Sequence, residues 1–497
     1  MITTDTNYNL WYCKGKHCLV QLLGTFKMPV TEPAQLQQQR GLATAPARQQ
    51  QKTNTTIWQT SFLLLAVVAV TSCSVSQKIN KQANLLLLKD TVISTGHIGI
   101  SIFEPASNTY WYNYNANKYF VPASNTKLFS LYAGLKYLGD SLVAARYKEQ
   151  NNILYIQPAA DPSFLHPDFD KQPLLTLLQT RGKSIMVSTN NAVTALGAGW
   201  AWDDFDQGYV AERSSFPIFG NLLWISTQQT NSQGKKNYGF TDSLLQLHNQ
   251  LLYIKPGYFA NTINYKPQPV YQRRQGENIF FTDSVATEAT IPFVTGNSNT
   301  AVEILRTLLH KNIDTGYTTG TDYQPLYSQP SDSLFKPMMH NSDNLFAEQT
   351  LLMASNQHLG YMNEAAIIYS ILQNDLTNIP QRPTLVDGSG LSRYNLCTPQ
   401  SFVYLLNKMK NEFGLNRLKG ILPTGGTGTL KNYYLSDSAF LYAKTGTLAG
   451  TIALSGFLIT QQNKLLIFSV LANNFKGRAT AVRRAVEKFI QQIRRQY

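Results

Sequence analysis

The longest uninterrupted apolar run in this chain, Phe62–Val70 (Phe-Leu-Leu-Leu-Ala-Val-Val-Ala-Val), has nine residues. A helix that spans a bilayer needs about 20. A polytopic helical membrane protein is therefore excluded, and the remaining apolar residues must be buried inside a folded body. There are enough of them: 43% of the 497 residues are hydrophobic, 11% aromatic and only 14% charged, which excludes a chain disordered throughout. That length accommodates two or three domains of about 100–200 residues. Four cysteines are too few for a disulfide scaffold.

Nine apolar residues suit the core of a secretion signal. Arg48 and Lys52 precede the run, and Val70-Thr71-Ser72-Cys73 follows it, an aliphatic and two small residues ahead of a cysteine. This resembles the bacterial lipoprotein box, which implies that residues 1–72 are a leader and that Cys73 is lipidated. The lipid would hold the body on a membrane face outside the cytoplasm. The other reading is a plain secretory signal with an incidental cysteine. Met28 makes a more ordinary start, so residues 1–27 read as an over-long beginning or a disordered leader. Cys13 and Cys18 flank His17 but do not complete a zinc site. Cys397 reads as a small buried apolar residue. The net charge of +14 suits an anionic partner. No Lys/Arg stripe or nucleic-acid motif is present, so nucleic acid is not expected.

Residues 76–89 read as a tether running into a helix. His97–Phe103 and Thr109–Tyr114 alternate about Glu104-Pro105-Ala106-Ser107-Asn108, a hairpin signal. Leu128, Leu131, Leu135 and Leu138 form one helical stripe, closed by Gly139. From about 145 to 290 come short strand-like runs, such as Asn152–Gln157 and Leu222–Ser226, which read as a β-rich insertion. Helical spacing returns at Thr300–His310 and Asn344–Ala354. Strands follow at Phe440–Lys444, Ile452–Ile459 and Lys464–Leu471, then a helix over Ala479–Tyr497 with Val482, Val486, Phe489 and Ile493 on one face. Three strands and a packing helix give an α/β layer architecture.

Three short motifs carry chemistry. In Ser124-Asn125-Thr126-Lys127 the helical i, i+3 spacing sets the lysine amine beside the serine hydroxyl. A hydroxyl is a poor nucleophile until a base takes its proton, and lysine is such a base only when burial or nearby cations lower its pKa. The bland alternative is a capping serine and a solvated lysine. Ser342-Asp343-Asn344 precedes a helix and also reads as a cap. Lys444-Thr445-Gly446-Thr447 ends a strand and also reads as an edge strand entering a turn. All three in this order, with the serines of the first two 218 positions apart, are the signatures of penicillin-binding proteins and class A β-lactamases. That resemblance implies that Ser124 attacks a carbonyl, Lys127 receives the proton, Ser342 relays it and Lys444 polarises the relay. Asn344 would orient the substrate amide. Thr445 and Thr447 would hold a terminal carboxylate, with charge from Lys444, and the Ser124 and Thr447 N–H groups would form the oxyanion hole. No metal or other cofactor is expected.

Further stretches narrow the resemblance: Tyr119-Phe120-Val121-Pro122-Ala123 before the serine, Asp161-Pro162-Ser163, Gly199–Asp204 with Tyr209, Ala211 and Asn221, Asp387–Arg393, and Leu422–Leu430. Together they resemble the class C low-molecular-mass penicillin-binding proteins, the D-alanyl-D-alanine carboxypeptidase/endopeptidases. The family implies a transpeptidase-like catalytic domain (73–144 and 291–497) interrupted by the insertion (145–290). It implies peptidoglycan stem peptides as substrate, β-lactam antibiotics as acylating ligands, and Arg393 reaching an acidic side chain of the stem peptide. The rivals are a serine β-lactamase or esterase on the same scaffold, and a wall-binding lipoprotein without turnover. Glu412-Phe413-Gly414-Leu415-Asn416 has the letters of a β-lactamase deacylation motif, but it ends a helical run close before Lys444 and reads as a coincidence.

Overall fold

The computed structural model describes residues 75–226 and 288–497, with 264–265, 272–273, 278 and 280–282 between them. Phe62–Val70 and Cys73 lie outside the described residues. The alternating segments become strands β1 (His97–Glu104) and β2 (Thr109–Tyr114). Their hairpin turns at Asn108, whose φ of +52° is one that asparagine tolerates well. Near the C-terminus run β3 (Leu441–Leu448), β4 (Thr451–Ile459) and β5 (Leu465–Asn473). The five strands form one antiparallel sheet in the order β3-β4-β5-β1-β2, with His97 opposite Asn473 and Lys444 opposite Ser455.

Successive residues of β4 and β5 point to opposite faces, and both faces are covered. Ala453, Phe457, Ile467 and Leu471 pack with helices α1 (Lys127–Tyr137), α2 (Asn344–Leu359) and α3 (Pro399–Phe413). Ile452, Leu454, Phe468 and Val470 pack with Val482, Val486, Phe489 and Ile493 of helix α4 (Ala479–Gln496). Ile79, Ala83 and Leu87 from the tether join the second face. Of the leucines read as a stripe, Leu128, Leu131 and Leu135 are buried in α1, which is buried on all sides from Lys127 to Leu135, and Leu138 lies at its C-cap. Each such leucine contributes about 1.5–3 kcal/mol by leaving water. Helix α2 has no polar stripe: Leu345 through Asn356 are all buried, so it is a central helix and not a surface one.

A second sheet has the strand order Asn312–Gly316, Ser184–Ser188, Ile153–Pro158, Ser141–Gln150, Gln324–Pro330. The first three are mutually parallel and the last two pair antiparallel. Helix Pro173–Thr180 joins two parallel strands, and Asn299–Leu309 packs on the same core. The described residues of the stretch expected to be β-rich hold mostly strands and one α-helix, Pro173–Thr180, and the strands of this sheet extend from Ser141 to Pro330, beyond 145–290 on both sides. Leu174, Leu177 and Leu178 are the i, i+3, i+4 stripe of an eight-residue helix, too short to stand out in sequence.

The third motif also differs from its expected context. Strand β3 runs on through Leu448, so Lys444-Thr445-Gly446-Thr447 lies inside an edge strand and not at its end. Thr-Gly-Thr looks like a turn, but the turn falls later, at Ala449-Gly450, where Gly450 has φ +69°.

Candidate functional site

Ser124 sits in the 3-10 turn Ala123–Thr126 that leads into α1. Ala123 before it has φ +47°, a left-handed conformation costly for a residue with a Cβ, as is common where a side chain must be presented at a bend. Lys127, one turn on, is completely buried. The capping-serine and solvated-lysine reading is therefore set aside. The Lys127 ammonium donates to Ser124 Oγ at 3.2 Å, Asn344 Oδ1 at 2.6 Å and the Ser389 carbonyl at 2.7 Å. Burial pushes its pKa down to about 8, against the opposing pull of Asp343, Asp387 and Glu348. When the amine is neutral, its two N–H groups satisfy Asn344 and Ser389, and its lone pair is left facing the Ser124 hydroxyl.

Ser342 does not cap α2; Asp343 does, accepting from the Phe346 amide at 2.8 Å. Ser342 has φ +59°, and its Oγ accepts from Lys444 Nζ at 2.9 Å. Lys444 is also completely buried and donates to the Thr445 carbonyl at 2.8 Å. Burial, with the neighbouring Lys127 charge, pushes its pKa well down. Asn344 faces Lys127 with its oxygen and donates its amide N–H to the Tyr209 carbonyl at 2.8 Å. Strand β3 passes close to the serine turn: a Cβ on Gly446 would lie 2.7 Å from the Pro122 carbonyl oxygen and 3.1 Å from the Asn125 nitrogen. Only glycine fits that approach.

Beneath Lys127 is a polar floor that sequence reading did not identify as functional. Asp387 holds the loop carrying Ser389 through the Gly390 N–H at 2.9 Å, the Ser392 N–H at 2.7 Å and the Asn395 amide at 2.7 Å. Trp200 Nε1 donates to the same carboxylate at 3.0 Å. Glu348, one turn after Asn344 on α2, accepts from Gly388 N at 3.0 Å and Ser389 N at 2.7 Å. Burial, reinforced by Asp387, raises its pKa to about 7. Arg213, also buried, lies 3.5 Å from Glu348 and 2.9 Å from Glu364. The i, i+4 placement of Glu348 after Asn344 was a usable signal; for Arg213 there was none.

The open cleft, about 310 Å³, is lined by Ser124, Ser342, Thr429, Thr445, Gly446 and Thr447 among others. Thr445 donates to Thr429 Oγ1 at 2.7 Å. Arg483 of α4, unremarked in sequence, also lines the cleft and donates to Thr447 Oγ1 at 2.6 Å. Arg393 is exposed and donates to the Ala449 carbonyl at 3.0 Å, just beyond the third motif. Glu412 joins none of this. It pairs with Lys408 at 2.6 Å and accepts from Tyr132 at 3.1 Å, at the end of α3. The structure thus brings together Ser124, Lys127, Ser342, Asn344, Lys444, Thr445, Gly446 and Thr447, leaves Arg393 near the rim, and keeps Glu412 in a surface ion pair.

The family described as D-Ala-D-Ala carboxypeptidase 3 (S13) matches residues 81–497. Carboxypeptidase DacB of Mycolicibacterium smegmatis is 33% identical over 171 residues, 32% of this chain and 37% of that protein. D-alanyl-D-alanine carboxypeptidase DacB of Haemophilus influenzae is 30% identical over 157 residues, 30% of this chain and 33% of that one. The chain therefore spans about a third of the length of these curated relatives. A D-alanyl-D-alanine carboxypeptidase of Actinomadura is 23% identical over 443 residues, 79% of this chain and 80% of that protein. The crystal structure of penicillin binding protein 4 (dacB) from Haemophilus influenzae superposes with a TM-score of 0.61 over 84% of this chain and 98% of that one. At 20% identity that likeness is one of fold.

Proposed function

The chain belongs to the D-Ala-D-Ala carboxypeptidase 3 (S13) family, and from that premise we propose that it is a penicillin-sensitive serine D,D-peptidase acting on D-Ala–D-Ala termini or D-Ala cross-links of peptidoglycan. The observation that carries this is the placement of a buried Lys127 amine 3.2 Å from Ser124 Oγ, with Ser342 held by Lys444 at 2.9 Å. Ser124 Oγ attacks the carbonyl of the penultimate D-alanine as its proton passes to neutral Lys127. With a pKa of about 8, roughly a tenth of the amines are neutral at pH 7. Ser342 relays a proton to the leaving amine, Lys444 keeps that hydroxyl polarised, and the Ser124 and Thr447 N–H groups hold the oxyanion, each worth about 2.7–4 kcal/mol. The amine departs and water then cleaves the acyl-serine. A β-lactam acylates the same oxygen, but its amine stays tethered.

The reading divides the chain into a catalytic body (75–140 and 331–497) and a lobe (141–330) that contributes the Tyr209 carbonyl and Arg213 to the site. What favours a peptidase over a class A-type β-lactamase is the occupation of Glu412 by Lys408 and Tyr132. No helix among the described residues is long and apolar enough to cross a membrane. A signal peptide ending at Ser72 and a lipid on Cys73 would place the body in the cell envelope, held close to the bilayer because residues 75–83 already pack on it through Ile79 and Ala83. Defined muropeptides, followed by mass spectrometry, test the activity: loss of one alanine or cleavage of dimers is expected, and both must vanish in Ser124→Ala along with fluorescent-penicillin labelling. Intact substrates with wild-type protein would overturn it. Cys73→Ala should move the protein from the membrane to the soluble fraction.

A further inference from the structure

A peptide bond next to a free C-terminus presents a carboxylate close to the scissile carbonyl, so a site for it needs a cation facing the cleft. Lys444 does not meet that need. It is completely buried, and its Nζ is directed to Ser342 Oγ and the Thr445 carbonyl. Arg393 has its guanidinium on the Ala449 carbonyl at the rim. Arg483 is different. It reaches from α4 into the cleft wall that also carries Ser124, Thr445 and Thr447. It makes no ion pair with any described acidic residue; the acid on that helix, Glu487, pairs with Arg484 at 2.6 Å. No Asp or Glu is among the described residues lining the cleft.

We propose that Arg483 is the carboxylate-binding residue of this site, holding the substrate's terminal carboxylate together with Thr447, since the Thr445 hydroxyl proton is already donated to Thr429. This deepens the peptidase reading above and rests on it. The Arg483 Nη2 lies 2.6 Å from Thr447 Oγ1. Because the threonine oxygen accepts that bond, its own proton points elsewhere and is free to be donated to a carboxylate. The guanidinium has five N–H donors in a planar fork, so most remain available beyond the one used on Thr447. It is permanently charged and matches a carboxylate in two parallel hydrogen bonds. Recognition by charge is thereby separated from chemistry. The buried lysines supply proton transfer and a partly exposed arginine supplies the anion site. The ligand class is an acyl compound with a free carboxylate one residue beyond the attacked carbonyl, whether a D-Ala–D-Ala terminus, a cross-link ending in a free carboxylate, or a penicillin.

The test compares benzylpenicillin with its methyl ester on the full chain, reading Ser124 acylation by mass spectrometry in wild type, Arg483→Gln and Arg483→Lys, with circular dichroism to confirm the fold. Hydrogen bonds to charged groups are strong enough that Arg483→Gln should slow acylation by the free acid about ten- to a hundredfold. Acylation by the ester should change less than about twofold, and Arg483→Lys should recover most of the loss. On an acyl-D-Ala-D-Ala peptide the same loss should appear mainly in KM. Unchanged acylation by the acid in Arg483→Gln overturns the proposal. So does an equal loss on acid and ester, or identical behaviour of the Gln and Lys variants. If the folded wild type is not acylated at all, the peptidase reading fails and this inference falls with it. A wild type that reacts while Arg483→Gln keeps full rate removes the Arg483 assignment alone.

Discussion

The floor of the cleft and its rim both carry cations, and the protein treats them in opposite ways. Lys127 and Lys444 are completely buried, whereas Arg393 is exposed and Arg483 partly so. Removing an ammonium from water disfavours its charged form, so both lysine pKa values fall. That fall is what allows a lysine to act as a base. An arginine at the rim keeps its charge and its hydration, so it suits recognition and not proton transfer. The cost of the floor is met by neighbours that satisfy each buried group: Asn344 and the Ser389 carbonyl for Lys127, Ser342 and the Thr445 carbonyl for Lys444. The same difference explains how the surroundings are built. The floor is supported by buried carboxylates and a buried arginine; the rim residues make one or two hydrogen bonds each.

The sharpest way to break this contrast is at Lys127. Ser124→Ala should abolish acylation, and Lys127→Ala should slow it by about 10²–10⁴, the range for a positioned general base; penicillin labelling measures both. A solvated lysine would not show such a loss. Next in size is Arg213→Met, which leaves Glu348 buried without its cation. Stability should drop by about 3–5 kcal/mol in urea unfolding, the usual consequence of removing one partner of a buried pair. Gly390→Ala tests how closely the floor is fitted to the nucleophile. Its Cβ would lie 1.9 Å from the Ala123 carbonyl oxygen, and φ is +79°. Acylation should fall at least tenfold, and stability by about 1–3 kcal/mol.

A pH series sharpens the same point. Lys127 accepts a proton only when neutral and titrates at about 8. Acylation should therefore climb with pH up to about 8 and level off above it, and a flat profile from pH 6 to 9 would remove Lys127 as the base. The smallest effect belongs to the rim: Arg393→Ala loses one exposed hydrogen bond and should change stability by less than about 0.5 kcal/mol. Any effect on turnover should be confined to stem peptides with an acidic third side chain, which parallel assays with neutral analogues would reveal.

Much of the site was legible because its chemistry is written in short local patterns. Ser124 and Lys127 are one helical turn apart, Asp343 and Asn344 open a helix, and Lys444 through Thr447 share a strand, so each motif is nearly determined by its own few residues. The α1 and α4 stripes were legible for the same reason: period 3.6 is a local property. Strand β3 was cut short because Thr445-Gly446-Thr447 has turn composition. Its extended form depends on pairing with Ile452–Leu454, which lies across a later turn.

The amino-acid order alone determined which groups are present and the spacing that makes each pair possible. Only the tertiary structure decided their state. Whether Lys127 is a solvated cation or a base depends on how completely it is enclosed, and its enclosure comes from Ser389, Asn344 and Glu348, more than two hundred residues away. The same holds for Arg213 beneath Glu348 and for Arg483 beside Thr447. Desolvation and long-range charge are properties of packing, and packing joins residues with no local signature in common.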